Sequence, residues 1–188
     1  RTMAHKDILV AGIIKKRVDQ VKVFCKASFD ADTRGYRVYN IDSGEVDDNA
    51  KALMEFFENT GFLDDETRED DMIGVVDKIV RDTLTIDQIA IELRRNKAGN
   101  VVDFWAIDAA TIKRNIDPKS KYRFVQEMQE SMYSAATITA EYTMDDIIFS
   151  YMNRRSDIRY HGWGYSPLEQ AIDVITTFLF GISYNRDQ

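Results

Sequence analysis

Three stretches in the first half of the chain carry apolar residues at helical spacing. A helix over 5–26 is predicted by a single apolar face, which comprises Val10, Ile14, Val18, Val21 and Cys25. Similar faces predict helices over 47–59 and about 68–86. Each helix has polar residues on its other side, so each is expected to bury only one face.

Polar residues mark the ends of the second and third predicted helices. Asp47 or Asp48 is a suitable N-cap for the second helix, and Gly61 suits the left-handed position past its C-terminus. The acidic run 64–71 lies at the start of the third helix, where negative charge is favourable by roughly 0.3–1 kcal/mol per well-placed group. These carboxylates could also attract a divalent cation weakly, but a solvated helix start is the favoured interpretation.

The pattern changes to alternation after residue 86. Residues 89–93 and 101–107 alternate around the Gly-containing turn 97–100, which predicts a β-hairpin. Further strands are predicted at 36–41, 122–128, 136–142 and 147–151. Asp117-Pro118 marks a break between these segments.

A last helix is predicted from Pro167 onward, with Ser166 as its N-cap. Its apolar stripe comprises Leu168, Ala171, Ile172, Ile175, Phe178, Leu179 and Ile182. Val174 and Phe180 lie off that stripe, so this helix is expected to bury more than one face, one of them against another subunit. The candidate subunit-interface residues are Leu168, Ile172, Ile175, Phe178 and Leu179.

Helices first, strands next and a long helix last is a segregated order, which predicts an α+β fold instead of a βαβ series. We expect one domain over 1–166, helical over 5–86 and strand-rich over 87–151, followed by the helix 167–188. No stretch approaches the ~20 apolar residues of a membrane span, and no signal-peptide pattern follows Arg1. We expect the chain to be a piece of a longer polypeptide.

Composition narrows the function further. The 188 residues suffice for one large or two small domains. A single cysteine argues against a disulfide framework or a cysteine-based zinc site. The net charge of −7 means that any role with nucleic acid must tolerate overall repulsion.

Metal-binding patterns are incomplete. Asp30 to Gly35 begins like a calcium loop, but Arg34 occupies the fifth position and Ile41 the twelfth, where ligands are needed. An Asp-rich turn is therefore the preferred interpretation. A metal-dependent nuclease is a less favoured alternative function. In it, Asp70 and Asp71 of the acidic run would be candidate ligands of the metal.

Catalytic patterns are also weak. His5 is interpreted as a surface residue, His161 as a stacked or hydrogen-bonded loop residue, and Cys25 as a buried, inert thiol. Ser166 serves better as a helix cap than as a nucleophile. No phosphate-binding loop occurs. We predict that the chain is not an enzyme and binds no cofactor or metal.

Two basic clusters are the remaining candidates. The first comprises Lys113, Arg114, Lys119, Lys121 and Arg123. The second comprises Arg154, Arg155 and Arg159, interleaved with Tyr151, Tyr160 and Trp163. Basic and aromatic residues together can bind nucleic acid, but a solvated loop or a salt-bridging subunit surface is favoured by the overall negative charge.

Four parts of the chain carry a family resemblance. They are 13–21, 87–100, 104–112, and 144–150 followed by 160–172, which contains Gly164-Tyr-Ser-Pro-Leu168. In this order they resemble the portal proteins of tailed bacteriophages. Departures from residues usual in that family stand at 85–87, Ala109 and Ser150.

The resemblance implies a homo-oligomeric ring, typically of twelve subunits, at one vertex of the capsid. Double-stranded DNA passes non-specifically through its channel during packaging and ejection. The implied partners are terminase, the major capsid or scaffold protein and head–tail adaptor proteins, in a particle assembled in the bacterial cytoplasm. No membrane, cofactor or catalytic residue is implied.

The resemblance also places the chain within a subunit. Residues 1–166 correspond to the wing and 167–188 to the start of a stem-directed helix, while the clip, the rest of the stem and the crown fall outside this chain. The strand-rich part could instead reach into the clip. A capsid or tail adaptor without a channel is the alternative function.

Overall fold

The computed structural model describes residues 7–29, 33–62, 70–129, 134–156 and 163–186. Helices and antiparallel sheets both occur there, so the predicted α+β class is confirmed. None of the described helices is long and apolar enough to pass through a bilayer.

An aspartate directly precedes each of the first three helices and serves as its N-cap. The helices are α1 (Ile8–Lys22), α2 (Asp48–Glu58) and α3 (Met72–Ile86). Their caps accept backbone amides: Asp7 from Leu9 and Val10, Asp47 from Ala50, and Asp71 from Gly74. An aspartate cap satisfies amides that a helix start leaves unpaired. The third helix begins later than residue 68 because Asp71 takes the cap position.

The predicted strand 36–41 is wrong. Tyr36 forms only a single parallel bridge with Ala27. The chain then turns, since the amide of Gly44 donates to the carbonyl of Asn40 (2.8 Å) and the amide of Asn40 to the carbonyl of Glu45 (2.9 Å). These turn bonds occupy backbone groups that a strand ladder would need.

The strands form two three-stranded antiparallel sheets. In the first, the order is β2 (Val101–Ala106), β1 (Ile89–Arg95) and β6 (Ile147–Ser150). In the second, it is β3 (Ile112–Arg114), β4 (Phe124–Met128) and β5 (Thr137–Tyr142). The predicted hairpin is confirmed, with Ile91 opposite Ala106 and left-handed Gly99 (φ 86°) in its turn.

The connection from β2 to β4 differs from the prediction, in which the return strand covers 101–107. The return strand ends at Ala106, and a short 3-10 turn, Ala109–Thr111, leads into β3. Asp108 caps this turn by accepting the amide of Ala110 at 2.9 Å. The segment 104–112 is therefore not one strand, because the chain passes here from one sheet to the other.

Two apolar clusters fill the interior. One lies between the sheets and comprises Ala90, Ala109, Ile112, Phe124, Tyr142 and Ile147. The other is the buried face of α1, comprising Val10, Ile14 and Val18, covered by Val80 and Leu84 of α3 and by Leu168 and Ile175. The helices thus pack together, while the sheets share their own core.

A hydrogen bond and a ring contact also join the two sheets. The hydroxyl of Tyr142 donates to Oε2 of Glu92 at 2.9 Å. The rings of Phe124 and Phe149 lie 5.1 Å apart. Burial raises the pKa of Tyr142 above its usual value, and the adjacent Glu92 carboxylate adds to the effect.

The predicted last helix is interrupted. A four-residue helix, α4 (Pro167–Gln170), is followed at Ala171 by α5 (Ile172–Arg186). Ser166 caps α4 as predicted, its Oγ accepting the amide of Glu169 at 3.0 Å. Leu168 and Ile175 fix this end of the chain against α1.

Candidate assembly surfaces

The segment between β6 and α4 directs the chain into its last helices. Its described residues, 151–156 and 163–166, are called the strap below. The two parts meet at an antiparallel bridge between Arg154 and Gly164, and the amide of Tyr165 donates to the carbonyl of Asn153 at 2.8 Å. The strap therefore sets where α4 begins.

A buried carboxylate holds the strap to the end of α3. Asp87 is fully buried and has a left-handed backbone (φ 53°). Its Oδ2 accepts the amide of Asn153 at 2.7 Å, and its Oδ1 accepts the amide of Met152 at 3.2 Å. The side-chain amide of Asn153 adds a longer bond of 3.4 Å to Oδ1. These donors compensate for taking the carboxylate out of water.

The strap is also fastened to α4. Arg155 forms an ion pair with Glu169, and its guanidinium lies 4.3 Å from the ring centroid of Tyr165. The other described arginine of the second basic cluster, Arg154, lies over Tyr151 at 5.4 Å. Arg159, Tyr160 and His161 lie outside the described residues. The structure thus gives Arg155 a role in positioning the helix.

The five candidate interface residues fall into two groups. Leu168 and Ile175 pack against the α1 cluster inside the chain. Ile172, Phe178 and Leu179 are exposed by 43%, 50% and 39%. Four further apolar side chains of α5 are also exposed: Val174, Phe180, Ile182 and Tyr184. An exposed apolar patch of this size is typical of a surface that another protein covers.

The first basic cluster lies on β3 and on the loop that leads from β3 to β4. Lys113 pairs with Glu127 at 2.5 Å, and the ammonium of Lys121 lies 4.6 Å from the ring centroid of Tyr122. Arg123 donates to the carbonyl of Pro118 at 3.4 Å. Lys119 and Arg114 are both exposed. The structure thus brings the whole cluster onto one hairpin.

Both candidate nuclease carboxylates have structural partners. Asp70 pairs with Lys78 at 2.8 Å, and Asp71 caps α3 by accepting the amide of Gly74 at 2.6 Å. Within the described ranges, no group of three or more His, Cys, Asp or Glu side chains is placed to hold a metal ion. His5, Asp30, Asp32 and residues 64–69 lie outside those ranges.

The lone thiol lies on the buried side of its turn. Cys25 is 6% exposed, and its Sγ contacts the carbonyl of Val21 at 3.6 Å. Burial raises the pKa of this thiol, which disfavours the reactive thiolate.

Comparison with known proteins shows which kind of protein the chain resembles. No family model matches the chain. A probable portal protein of Enterococcus phage phiEF24C is 30% identical over 177 residues, which cover 88% of this chain. A probable portal protein of Staphylococcus phage Twort is 28% identical over 193 residues, covering 96% of the chain. The chain is related to phage portal proteins.

The matched portion is a minor part of these portal proteins. The chain spans about 30% of the length of each relative. The predicted family resemblance is confirmed, while the assignment to wing and stem stays a prediction.

The Gly-Tyr-Ser-Pro-Leu motif is the sharpest of the four parts that carry the portal resemblance, and the structure adds an upstream residue that sequence reasoning missed. In the sequence, Asp87 begins the part 87–100 of the family resemblance and ends the departure at 85–87, while in the fold it lies against Gly164. An aspartate just past a helical pattern, where glycine is common, is a signal that could have indicated a special role.

Proposed function

We propose that the chain forms part of a subunit of a phage portal. In this role it contributes a wall segment to a ring-shaped channel at the capsid vertex, for genome packaging and ejection and for head–tail connection. The similarity to two probable portal proteins over most of the chain carries the proposal. The subunit acts by shape and repetition, without catalysing a reaction.

A ring requires a heterologous contact that closes by rotation. The exposed apolar side chains of α5 support such a contact, since a neighbouring subunit would remove them from water at about 25 cal/mol per Å². In the proposed placement α5 leads toward the stem, and the two sheets belong to the wing. Their extension into the clip is the alternative placement.

The proposed partners follow from this role. Duplex DNA passes through the channel without sequence recognition, and the net charge of −7 reduces adhesion of its phosphates. Terminase, the major capsid or scaffold protein and head–tail adaptors dock on the ring, whose typical subunit number is twelve. The proposed location is the portal vertex of the virion, after assembly in the bacterial cytoplasm.

Sedimentation velocity of the full-length subunit tests the proposal. A closed ring predicts one large species whose mass stops growing as the protein concentration rises. A monomer that persists at high concentration and low salt would contradict it. An open series of oligomers would favour the adaptor alternative.

A further inference from the structure

The loop between β3 and β4 is held in one shape by its own hydrogen bonds. We call residues 113–123 the basic loop. The amide of Asn115 donates to the carbonyl of Arg123 at 2.9 Å, closing its base. Within it, the Asn115 side chain accepts the amide of Asp117 (3.0 Å), and the Asp117 carboxylate accepts the amide of Lys119 (2.9 Å). Little ordering cost therefore remains for a partner to overcome.

The basic loop carries an excess of positive charge. Its eleven residues contain five cations and one carboxylate, in a chain of net charge −7. Glu127 pairs with Lys113, and the Asp117 carboxylate is engaged by the backbone. In the described part of the chain, the remaining cations form no ion pair: Arg114, Lys119, Lys121 and Arg123.

An apolar side chain lies among these charges. Ile116 is 96% exposed at the tip of the loop. Burying an exposed isoleucine side chain is favourable, because it removes apolar surface from water. A partner that covers Ile116 and supplies carboxylates would therefore satisfy both features of the loop.

The chain itself presents a surface of that chemistry. We call residues 42–58, which include α2, the acidic face. They contain six carboxylates and one cation, Lys51. Leu53, within this face, is 43% exposed, and Ile41, just before it, is 89% exposed.

Among the residues that the structure describes, few partners neutralise these carboxylates. Lys51 pairs with Asp48 at 3.0 Å, and Asp47 is used as the cap of α2. In the described ranges, Glu45 and Glu55 form no ion pair, and both are exposed. The acidic face thus offers negative charge for the cations of the basic loop and an apolar contact for Ile116.

We propose that the basic loop docks on the acidic face of a second copy of this chain. The contact is heterologous, because the two surfaces differ, and such a contact forms a ring when its rotation closes. The inference rests on the proposed portal function for that closure, and it names surfaces other than α5. Duplex DNA is the less favoured occupant, because it offers phosphates to the cations but no apolar pocket on its backbone for Ile116.

Charge reversal on each side tests the contact. The variants are Lys119→Glu/Lys121→Glu in the basic loop and Glu45→Lys/Glu55→Lys in the acidic face. Each is expected to raise the concentration at half-assembly by about tenfold or more at low salt, because like charges then face each other. The control Lys15→Glu/Lys97→Glu, at exposed sites outside both surfaces, has the same charge change as the loop variant and should assemble like the wild type.

Mixing the two variants gives the sharper measurement. The reversed loop of one variant is complementary to the reversed face of the other, so an equimolar mixture should regain wild-type assembly. Each variant's unfolding midpoint, measured alone, separates lost contact from lost folding. Failure of the mixture to assemble, with both variants folded, would overturn the inference.

The outcomes distinguish this inference from the portal proposal. If the wild type and both variants all form rings, the charged contact is wrong and the proposed portal ring still stands. A wild type that stays monomeric would overturn both. Loss of duplex-DNA binding in the loop variant, with assembly unchanged, would assign the basic loop to DNA and contradict docking between subunits.

Discussion

The carboxylate of Asp87 occupies the space beside Gly164 in which a side chain would lie. A Cβ on Gly164 would overlap Oδ2 of Asp87, and it would lie 2.5 Å from Cγ and 2.7 Å from the backbone oxygen. Gly164 is not among the left-handed glycines, so the requirement is for space and not for a special backbone angle. The close approach lets the strap reach the end of α3.

Replacing Gly164 with alanine should therefore destabilise the fold. The methyl group would displace a buried carboxylate or the strap, at a cost of about 1–3 kcal/mol for overpacking. Chemical denaturation measures the change in the free energy of unfolding. The control is Gly12→Ala in α1, where no atom lies within 4 Å and alanine should stabilise the helix slightly. Equal stability of Gly164→Ala and the wild type would contradict the packing described here.

Substitution of Asp87 tests the hydrogen bonds of the same junction. Asp87→Ala leaves the partly buried amides of Met152 and Asn153 without their acceptor, at about 1–3 kcal/mol in total. Asp87→Asn keeps one acceptor and tolerates the left-handed backbone, so it should cost less. Hydrogen exchange at the two amides should quicken more in the alanine variant. Unchanged protection in both variants would show that another group holds the strap.

The caps that begin two of the helices could be predicted from sequence, because capping is local. Asp47 and Ser166 lie three residues before the residues whose amides they accept. The role of Asp87 could not be predicted, since its partners lie 65 or more positions away along the chain. The prediction of a strand at 36–41 failed for a similar reason. Alternation indicates a side-chain pattern, but it does not identify the neighbouring strand with which the segment would pair.

The candidate interface could be predicted only in part. The mixed apolar faces of α5 indicated two covering surfaces, and the structure identifies one of them as α1. Which residues remain for a second surface depends on how α5 lies on α1, and that geometry is not encoded in periodicity. The basic cluster was visible in the sequence, while its ordered loop and the exposed Ile116 needed the structure.

The two groups of α5 residues should respond differently to mutation. Ile175→Ala should lower the free energy of unfolding by about 1–2 kcal/mol, because this partly buried side chain packs on α1. Phe178→Ala and Phe180→Ala should leave unfolding nearly unchanged and weaken self-association, because both rings are exposed. Denaturation and sedimentation of each variant separate the two effects. Full assembly by Phe178→Ala/Phe180→Ala would remove α5 from the proposed interface.

The stability of the fold should fall at high pH through Tyr36. Burial, with a further contribution from the nearby Glu58 carboxylate, raises the pKa of Tyr36 to about 12, and its hydroxyl donates to the carbonyl of Met54 at 3.0 Å. Because the folded state holds this proton more tightly than the unfolded state, the contribution is present in full below about pH 10. It is lost as the pH rises through about 12.

Tyr36→Phe should flatten this decline in a series of denaturation curves from pH 8 to 12. Tyr39→Phe, at a residue that is 59% exposed, is the matched control and should leave the decline as it is. An unchanged slope in Tyr36→Phe would assign the alkaline loss of stability to other groups, such as Tyr142.

Electron microscopy of the assembled protein tests the central claim most directly, namely that copies of this subunit surround a passage for DNA. End-on views should show a closed ring with fixed rotational symmetry and a central hole wide enough for duplex DNA. Particles without a hole, or single subunits under conditions that favour assembly, would contradict the claim.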